Sequence, residues 1–391
     1  MLSRRLPHDA SPNAWSRLLA ARRAAGATLI DLSEANPTRV GLGGAGPEAL
    51  AALAQPESAR YEPESRGSHG ARDAVAGYYR ERGLAVHPDA IVLTASTSEA
   101  YAHLFRMLAD PGETILVPAP SYPLFEPLAA LEGVKLIRYR LAWDGGWHLD
   151  PGSLEAAIER GPRAMIVVQP NHPTGSCLAA DEMAAAERLC ERHGVALISD
   201  EVFGDFPWPR PGGTGSLPSL LGGRRVPTFV LSGLSKVCGM PQLKLGWIAV
   251  AGPAAARAEA LRGLEWIADL FLSVASPVQV ALPRLLAGRH PWQARVRERI
   301  AANLGRAREA IARQPQLDLL AGAGGWVAVL RVPRRRSEEE WALELLRRDV
   351  VVHPGEFYDF EGEAYLVVSL IVKPEEFGAG MERIAALAGE G

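Results

Sequence analysis

The stretch AMIVVQPNHPTGSCLAADEMAAAERLCERHGVALISDEVF, residues 164–203, contains a strand, a loop, a helix and a second strand. The apolar runs at 164–169 and 195–200 predict buried strands. Between them, DEMAAAERLCERHG at 181–194 places apolar residues at helical spacing and ends on a glycine suited to a C-cap. Because a helix joins the two strands, the stretch predicts a βαβ unit with parallel strands.

The same alternation of apolar runs and helix-length segments extends from about residue 70 to residue 250. Strands separated by helices in this way are typical of a mostly parallel sheet covered on both faces. We therefore predict an α/β fold. The predicted strands are AIVLT (90–94), TILVPA (114–119), KLIRY (135–139), AMIVVQ (164–169), VALISD (195–200), TFVLSG (228–233) and WIAVAG (247–252).

The pattern changes after Ser276-Pro277, where longer helices rich in arginine and alanine precede short strands around Trp326–Val332 and Tyr365–Val372. This change predicts a smaller second domain of α+β character. The stretch 207–223 is rich in proline and glycine, which predicts a surface loop near the site. The predicted domains are a large domain at residues 40–272 and a small domain built from residues 1–39 and 273–391.

Composition argues against several classes of protein. The chain has 391 residues, of which 48% are apolar and 22% charged, and its net charge is −3, so no nucleic-acid partner is expected. No segment has the roughly 18 uninterrupted apolar residues of a membrane span, and the N-terminal residues lack a signal-peptide pattern, which predicts a cytoplasmic protein. Cys177, Cys190 and Cys238 lack metal-ligand spacing, so we expect reduced, buried thiols and no metal site.

Lys236 follows a predicted strand in SGLSKVCGMPQLKLGW, residues 232–247. A lysine at the end of a buried strand can act as a nucleophile when its pKa is lowered, because the neutral amine attacks a carbonyl carbon. A surface lysine behind serines that cap a helix would show the same local pattern. The segment alone leaves both interpretations open.

Asp200 ends the apolar strand in VALISDEVF, residues 195–203. Ligands of open parallel sheets gather at the carboxyl ends of strands, and a buried carboxylate there needs a cationic partner. A protonated pyridine nitrogen is such a partner. An aspartate that caps the following helix would give the same sequence.

Asn171 lies between Pro170 and Pro173 in IVVQPNHPTG, residues 166–175. The two prolines predict a rigid loop directly after a buried strand. The Asn171 amide could then donate a hydrogen bond to the phenolic oxygen of a bound ring. A plain turn is the alternative.

Two further segments place polar or aromatic groups at strand ends. In LTASTSEAYAHLF, residues 93–105, Ser96 and Thr97 lie at the predicted start of a helix, where backbone N–H groups and hydroxyls can bind a phosphate or serve only as a cap. In PSYPLF, residues 120–125, Tyr122 can stack on a planar cofactor or pack in the core.

Taken in chain order, these elements resemble the fold-type I, class I and II aminotransferases over almost the whole chain. The resemblance implies an aspartate-aminotransferase-like fold, pyridoxal 5'-phosphate (PLP) as cofactor and a homodimer with shared active sites. The resemblance implies that Lys236 in S-x-x-S-K forms a Schiff base with PLP, that Asp200 in D-E-V-[YF] pairs with the pyridinium, and that Asn171 in N-x-P-T-G binds the phenolic oxygen. It also implies that Tyr122 stacks on the ring and that Tyr61 binds the phosphate of the neighbouring subunit. The residues implied to bind the phosphate within the same chain are Ser96, Thr97 and Ser232.

Three positions depart from the family pattern. Lys244 stands in place of an arginine on the phosphate, so the charge remains but the bidentate geometry is lost. Phe203 stands in place of a tyrosine that donates to the phenolic oxygen, so we expect the Schiff-base pKa to rise. Val367, in YLVVSLIV, stands in place of the arginine that binds the substrate carboxylate, which predicts a replacement cation or an unusual substrate.

The N-terminal segment LSEANPTRVGL supplies the candidate substrate residues Asn36 and Arg39, and Arg39 is our candidate replacement cation. An exposed arginine after a turn is the alternative interpretation. Trp15 and Trp326 are looser candidates for the pocket lining.

The favoured function is transfer of an amino group between an amino acid or related amine and a 2-oxo acid in ping-pong order, with Lys236 as general acid and base. A β- or γ-elimination lyase needs the same residues and remains open. A PLP-binding regulator is less favoured, because only about 30 residues precede LSEANPT and no basic recognition helix is visible.

Overall fold

The structure is a computed structural model and describes residue 3 and residues 5–6, 11–44, 46–209, 216–362 and 364–390. The α-helices in these ranges are α1 (Ala14–Ala24), α2 (Pro47–Ala52), α3 (His69–Glu81), α4 (Thr97–Leu108), α5 (Phe125–Glu132), α6 (Pro151–Ile158), α7 (Ala180–His193), α8 (Leu234–Val237), α9 (Ala254–Asp269), α10 (Ser276–Ala287), α11 (Arg289–Ala312), α12 (Glu338–Arg347) and α13 (Pro374–Gly389). Among these described helices, none has the length and apolar character needed to cross a membrane.

The strands of the same ranges form one large sheet and two smaller ones. They are β1 (Ile30–Asp31), β2 (Ile91–Thr94), β3 (Thr114–Ala119), β4 (Lys135–Trp143), β5 (Trp147–Leu149), β6 (Ala164–Val168), β7 (Ala196–Asp200), β8 (Thr228–Gly233), β9 (Gly246–Ala251), β10 (Asp318–Leu319), β11 (Val327–Val332), β12 (Val350–Val351), β13 (His353–Pro354) and β14 (Ala364–Ser369).

The large sheet has the strand order β2-β9-β8-β7-β6-β3-β4-β5. Strands β8, β7, β6, β3 and β4 are mutually parallel, and β9 is antiparallel to both of its neighbours. All seven strands predicted for residues 90–252 are present, so the prediction of a mostly parallel α/β sheet is confirmed.

Burial explains why these segments read as continuous apolar runs. Every residue of β6, β7 and β8 is buried, because helices cover both faces of the sheet. Helix α7 returns the chain from β6 to β7 and ends at Gly194, whose φ of +67° is the left-handed conformation of a C-cap. The carboxyl ends of the parallel strands therefore meet at one edge of the sheet.

The small domain surrounds a four-stranded antiparallel sheet of order β10-β11-β14-β13. Its apolar core combines residues of β11, β14, α11, α12 and α13 with Trp15 and Leu19 of α1 and with Leu32. Strand β1 pairs in parallel with β12 and ties the N-terminal segment to this domain. The prediction of strands near 326–332 and 365–372 is confirmed in outline, and the second observed strand ends at Ser369.

The core of the large domain extends beyond the predicted boundary at residues 272 and 273. Val278, Leu282 and Leu286 of α10 belong to the same apolar cluster as Val75 and Tyr79 of α3. The next helix, α11, contributes instead to the small-domain core. The change from one core to the other therefore lies where α10 passes into α11.

The stretch 207–223, which we predicted to be a surface loop, has buried ends. Trp208 is buried and donates its indole N–H to the Gly325 carbonyl at 2.9 Å, and Leu220 and Leu221 are also buried. Residues 210–215 lie outside the described residues. Proline and glycine density indicated irregular backbone here, but the prediction of surface exposure is wrong for these three side chains.

Cysteine packing agrees with the sequence interpretation in part. Cys190 and Cys238 are buried and free, whereas Cys177 is half-buried. The described residues contain no group of three or more His, Cys, Asp or Glu side chains placed to hold a metal ion.

Candidate active site

A cavity of about 230 Å³ lies at the carboxyl edge of the large sheet, facing the small domain. The residues around it come from strand ends, from the start of α4, from the N-terminal segment and from β11. They are Ala35, Ser96, Thr97, Tyr122, Val168, His172, Asp200, Val202, Phe203, Gly233, Ser235, Lys236, Leu245, Gly246, Trp326 and Val327.

Lys236 lies in the short helix α8, which directly follows β8. Burial lowers the pKa of its ammonium group to about 8, and the nearby Asp200 carboxylate partly opposes that change. Its Nζ lies 4.8 Å from the ring centroid of Trp326 and 5.5 Å from that of Phe203. A lysine held in this environment keeps an appreciable neutral fraction near neutral pH, as a nucleophilic amine requires.

Asp200 ends β7 and shares the cavity with Lys236. Burial raises the pKa of its carboxyl group to about 6, against the opposing effects of the Val202 N–H, the Tyr101 hydroxyl and Lys236. One carboxylate oxygen accepts from Tyr101 Oη at 3.0 Å and the other from the Val202 N–H at 3.2 Å. The carboxylate is thus oriented by two donors, and a cation placed in the cavity would complete its environment.

Tyr101 was not among the residues chosen from the sequence. It lies on α4, four residues after Thr97, and its ring packs edge-on against Phe125 at a centroid distance of 5.3 Å. The packing points its hydroxyl at Asp200, 99 residues away in the chain. Helical spacing in EAYAHLF indicated a buried face but could not identify the acceptor.

Ser96 and Thr97 lie at the start of α4 and line the cavity. Ser96 caps the helix, because its Oγ accepts from the Glu99 N–H at 3.1 Å. A Cβ added to Gly246 would lie 3.2 Å from the Thr97 nitrogen and 3.1 Å from the Ser96 carbonyl carbon. Gly246 therefore lets the backbone of β9 pack closely against the start of α4.

Ser232, the second serine predicted for the phosphate, does not line the cavity. Ser232 is fully buried within β8, and its hydroxyl has no partner among the described residues. Ser235, three residues further on, lines the cavity instead. Lys244 is exposed, has a φ of +50° and lies outside the lining.

The loop after β6 presents a different residue from the one expected. Asn171 lies outside the cavity lining, and its amide donates to the Pro120 carbonyl at 3.1 Å and to Thr174 Oγ1 at 2.9 Å. Its neighbour His172 lines the cavity. The loop is a tight turn closed by hydrogen bonds between the backbones of Asn171 and of Gly175 and Ser176, and it directs the Asn171 side chain away from the cavity and that of His172 toward it.

His172 lies among aromatic rings. Its imidazole stacks on Phe203 at a centroid distance of 5.9 Å and meets Tyr122 and Tyr358 edge-on at 5.8 and 5.5 Å. Burial lowers the pKa of His172 to about 3, and the positive charges of Lys236 and His353 act in the same direction. The imidazole is therefore neutral at physiological pH.

Tyr122 follows β3 and lines the cavity, and 38% of its surface is exposed, so its predicted stacking on a cofactor stays a prediction. Phe203 and Trp326 form the opposite wall, where their centroids are 5.4 Å apart at an interplanar angle of 61°. Val327 of β11 extends this wall. The small domain thus contributes apolar and aromatic surface to the site.

The candidate substrate residues from the N-terminal segment lie outside the cavity lining. Asn36 Oδ1 accepts from the backbone N–H and the hydroxyl of Thr38. The side chain of Arg39 is 72% exposed and pairs with Glu34 at 3.3 Å. Ala35 is the residue of this segment that reaches the cavity.

Val367 is buried in an apolar cluster with Val327 and Val329, with which it shares the sheet of the small domain. Trp326 lines the cavity, whereas Trp15 packs edge-on against His353 and Phe357 behind it. The part of the small domain next to the cavity is therefore apolar.

Tyr61 lies away from the cavity. It is 80% exposed and lines a separate cleft with Glu64, Ala268 and Leu272. Nearby on α9 and just after it, Trp266, Leu270 and Phe271 are also exposed, at 69%, 64% and 53%. Large apolar side chains exposed together are typical of a protein interface.

Comparison with known proteins gives the chain a family context. The family model for aminotransferase class I and II matches residues 25–384. Over 229 residues the chain is 30% identical to nicotianamine aminotransferase 1 of Oryza sativa subsp. japonica, covering 57% of this chain and 45% of that protein. Over 224 residues it is 31% identical to an S-alkyl-thiohydroximate lyase of Arabidopsis thaliana, covering 55% and 47%. The chain spans about half the length of these two curated relatives.

Among solved structures, an alanine aminotransferase from Pyrococcus furiosus superposes with a TM-score of 0.88 at 22% identity, and the alignment covers 100% of both chains. This likeness confirms the predicted fold class, an aspartate-aminotransferase-like arrangement of a large α/β domain and a smaller domain.

Proposed function

The chain belongs to the family of class I and II aminotransferases, and from this premise we propose that it is a PLP-dependent enzyme that transfers amino groups in ping-pong order. The amino group would pass from an amino compound to a carbonyl compound. The observation that carries the proposal is the pairing of Lys236, whose pKa is lowered to about 8, with the buried Asp200 in one cavity.

The cavity fits PLP at both ends of the molecule. The first turn of α4, whose residues Ser96 and Thr97 line the cavity, would offer backbone N–H groups to a phosphate, with the hydroxyls of Thr97 and Ser235 beside it. At the other end, Asp200 is a buried carboxylate that needs a cation, and a protonated pyridine nitrogen supplies one. When bound, PLP supplies an electron sink for the carbon that carries the amino group.

Lys236 is the proton carrier in this proposal. Its Nζ would hold PLP covalently and, once displaced by the substrate amine, would accept a proton and return it. A pKa near 8 suits both directions, because the neutral and charged forms coexist at physiological pH.

Asp200 acts as a positioning residue for the cofactor. Tyr101 and the Val202 N–H hold its carboxylate in one orientation, so the negative charge stays directed into the cavity. His172 and Tyr122 would border the cofactor ring, and His172 can offer one N–H as a neutral donor.

The enzyme would act as a homodimer. Tyr61 lines a separate cleft near the exposed apolar residues Trp266, Leu270 and Phe271. A second copy of the chain bound at this surface would bury the side chains of all four residues. Tyr61 would then complete the phosphate site of the other subunit.

A lyase is the second candidate function, because a relative of equal similarity is named as one. Elimination needs the same lysine, the same aspartate and the same cofactor site. The two reactions differ in product, since a lyase releases ammonia and a carbonyl product while the cofactor returns to its starting form.

The test is a visible absorption titration of the purified protein with a panel of amino compounds, beside a Lys236→Ala control. Loss of the PLP band to the pyridoxamine form in the wild type alone would support aminotransfer. A persistent band with release of ammonia would assign the lyase, and a protein that binds no PLP would refute both.

A further inference from the structure

Lys236 lies in a helix that is too short to fix its own position. Helix α8 has four residues, and the Leu234 carbonyl at its start accepts from the Cys238 and Met240 N–H groups at 3.1 Å each. The carbonyl groups in the last turn of a helix have no partner within the helix and need donors from elsewhere. The position of the Lys236 side chain therefore depends on groups outside α8.

Gln293 of α11 supplies such a donor. Its amide nitrogen donates to the carbonyl of Val237, the residue after Lys236, at 2.9 Å. The same nitrogen donates to Asp205 Oδ2 at 3.0 Å, so both of its N–H groups are used. Because Gln293 is 3% exposed, the two hydrogen bonds are shielded from water.

Asp205 is held in turn by side chains of α3 and of the residue that follows it. Tyr78 Oη donates to Asp205 Oδ2 at 3.2 Å, and Arg82 Nη1 donates to the Tyr78 hydroxyl at 2.8 Å. Arg82 Nε also lies 3.8 Å from Asp205 Oδ1, in an ion pair that is almost wholly buried. The fixed carboxylate holds the Gln293 amide in the orientation that reaches Val237.

The residue of α11 next to Gln293 contacts the same segment. A Cβ added to Gly239 would lie 2.3 Å from the Trp292 ring, so the indole packs directly on the backbone at this point. Gly239 has a φ of +65°, which glycine adopts without strain. The Trp292 indole N–H donates to the Leu42 carbonyl at 2.6 Å, which fixes the ring. Two adjacent residues of α11 therefore hold the segment that follows Lys236.

Resting on the proposed function, we infer that Gln293 is a positioning residue for Lys236. Through the Val237 carbonyl it holds α8 so that the Lys236 amine points into the cavity, where the nitrogen bonds to the aldehyde carbon of PLP and water is released. Without this contact α8 moves more freely, and the amine is aligned with the aldehyde for a smaller fraction of the time. Because α11 packs in the small-domain core, the contact also joins that domain to the reactive lysine.

The test follows the capture of PLP by Lys236 in the full-length protein after the cofactor has been removed. The rate at which the PLP band appears at saturating PLP reports the reaction of the amine, separately from the affinity for the cofactor. Gln293→Met keeps the length of the side chain and removes the amide. We expect this variant to lower the rate at pH 7 by about tenfold, because one buried hydrogen bond that aligns the amine is lost.

The pH dependence of capture separates positioning from a general loss of stability. Burial lowers the pKa of the Lys236 ammonium to about 8, and a loosened α8 exposes the amine to water, which shifts this pKa back upward. Asp200 and His172, the titratable groups that act on Lys236 in the cavity, are the same in both proteins. We therefore expect the pH of half-maximal capture rate to rise by about one unit or less in Gln293→Met.

Asn303→Leu is the matched control. Asn303 is a second buried amide of α11, and its nitrogen donates to the Leu370 and Val372 carbonyls of the small domain at 2.8 and 2.7 Å. Gln293→Met and Asn303→Leu each leave two buried acceptors without a donor, so both should lower the free energy of unfolding in urea. Asn303→Leu should nevertheless keep the wild-type capture rate and its pH dependence.

Two results would overturn the inference: a Gln293→Met protein that captures PLP as the wild type does, or an Asn303→Leu protein that shares its loss. Asp205→Asn keeps an acceptor oxygen but removes the charge, so we expect a loss of about threefold, and this variant decides the question where Gln293→Met fails to fold. An Asp205→Asn protein with the wild-type rate would then contradict the role of Gln293. The proposed function fails separately, since it is refuted by a wild-type protein that forms no PLP band.

Discussion

The two walls of the cavity differ in origin and in chemistry. The wall at the sheet edge comes from strand ends and the start of α4, and it carries the Lys236 amine, the Asp200 carboxylate and hydroxyl groups. The wall toward the small domain is formed by Phe203, Trp326 and Val327, and it carries none of these groups. The apolar wall has two sources: Phe203 lies three residues after Asp200, whereas Trp326 and Val327 come from the start of β11, so these two can be altered without changing the segments that carry Lys236 and Asp200.

The largest expected effect comes from a change in the polar wall, which is the wall at the sheet edge that carries Lys236 and Asp200. Lys236→Ala should lower the rate of amino-group transfer by at least about 10³-fold, because the variant loses both the nucleophile and the proton carrier. Single-turnover kinetics with an amine donor measure the loss. Phe203→Leu is the comparison, because it changes the aromatic wall formed by Phe203, Trp326 and Val327. A loss of rate as large as that of Lys236→Ala would show that the two walls do not act separately.

Asp200→Asn should lower the rate by about 10²-fold, because the cofactor site loses a charge-assisted hydrogen bond worth about 3 kcal/mol. Tyr101→Phe keeps the charge and removes one of its donors, so its effect should be smaller. If the two variants lost the same activity, the orientation of the carboxylate would matter more than its charge.

Asp200→Asn should also stabilise the folded protein when it is prepared without cofactor. The folded pKa of Asp200 is raised from 3.8 to about 6, so its contribution to stability is fully present below about pH 4 and is lost as the pH rises to about 6. At pH 7 the buried charge therefore costs up to about 3 kcal/mol, which Asp200→Asn would recover. Urea unfolding at about pH 4 and pH 7 checks the sign: a variant advantage that is larger at the lower pH would contradict it.

A double variant at the proposed dimer interface tests whether the residues of one chain are enough to bind the cofactor. Trp266→Glu combined with Leu270→Glu should dissociate the proposed dimer and weaken PLP binding by at least about tenfold, because Tyr61 would no longer reach the second site. Sedimentation and a PLP titration measure the two effects. Leu131→Glu, at another exposed leucine, is the control. PLP affinity that is unchanged in the monomer would show that each chain holds its cofactor alone.

The smallest expected effect is that of Phe203→Tyr, because this ring of the aromatic wall lies next to Lys236 of the polar wall. Phe203→Tyr adds a hydroxyl to a ring that stacks on His172 and contacts Lys236. We expect the midpoint of the pH-dependent change in the PLP spectrum to fall by about one unit or less, because the new donor favours the deprotonated form. Phe203→Leu should not lower it, and a midpoint that rises in Phe203→Tyr would contradict this role of the hydroxyl.

Much of the polar wall could be predicted because its signals are local. An apolar run followed by Asp200 or Lys236 indicates a strand and a strand end, and in a parallel sheet strand ends meet at one edge. Ser96 and Thr97 follow from the same logic at a helix start. The structure places all four around the cavity.

The sequence could not show which of two neighbouring side chains points into the cavity. Asn171 and His172 are adjacent, and the spacing of prolines in QPNHPTG shows a rigid loop without showing which side chain faces inward. The hydrogen bonds of Asn171 to Pro120 and Thr174 settle this in the structure. Ser232 and Ser235 differ in the same way, because Ser232 is buried within β8 whereas Ser235 lines the cavity.

The sequence by itself determined the α/β class, the order of the strands along the chain and the position of Lys236 and Asp200 at strand ends, because hydrophobic periodicity and strand-end position are properties of short segments. Tertiary structure alone decided that Tyr101 donates to Asp200, that α10 packs in one core with α3, and that Trp326 and Val327 share a cavity with Lys236. These contacts join residues about 90 to 210 positions apart, and such pairs are selected by packing of the whole core, which no local pattern records.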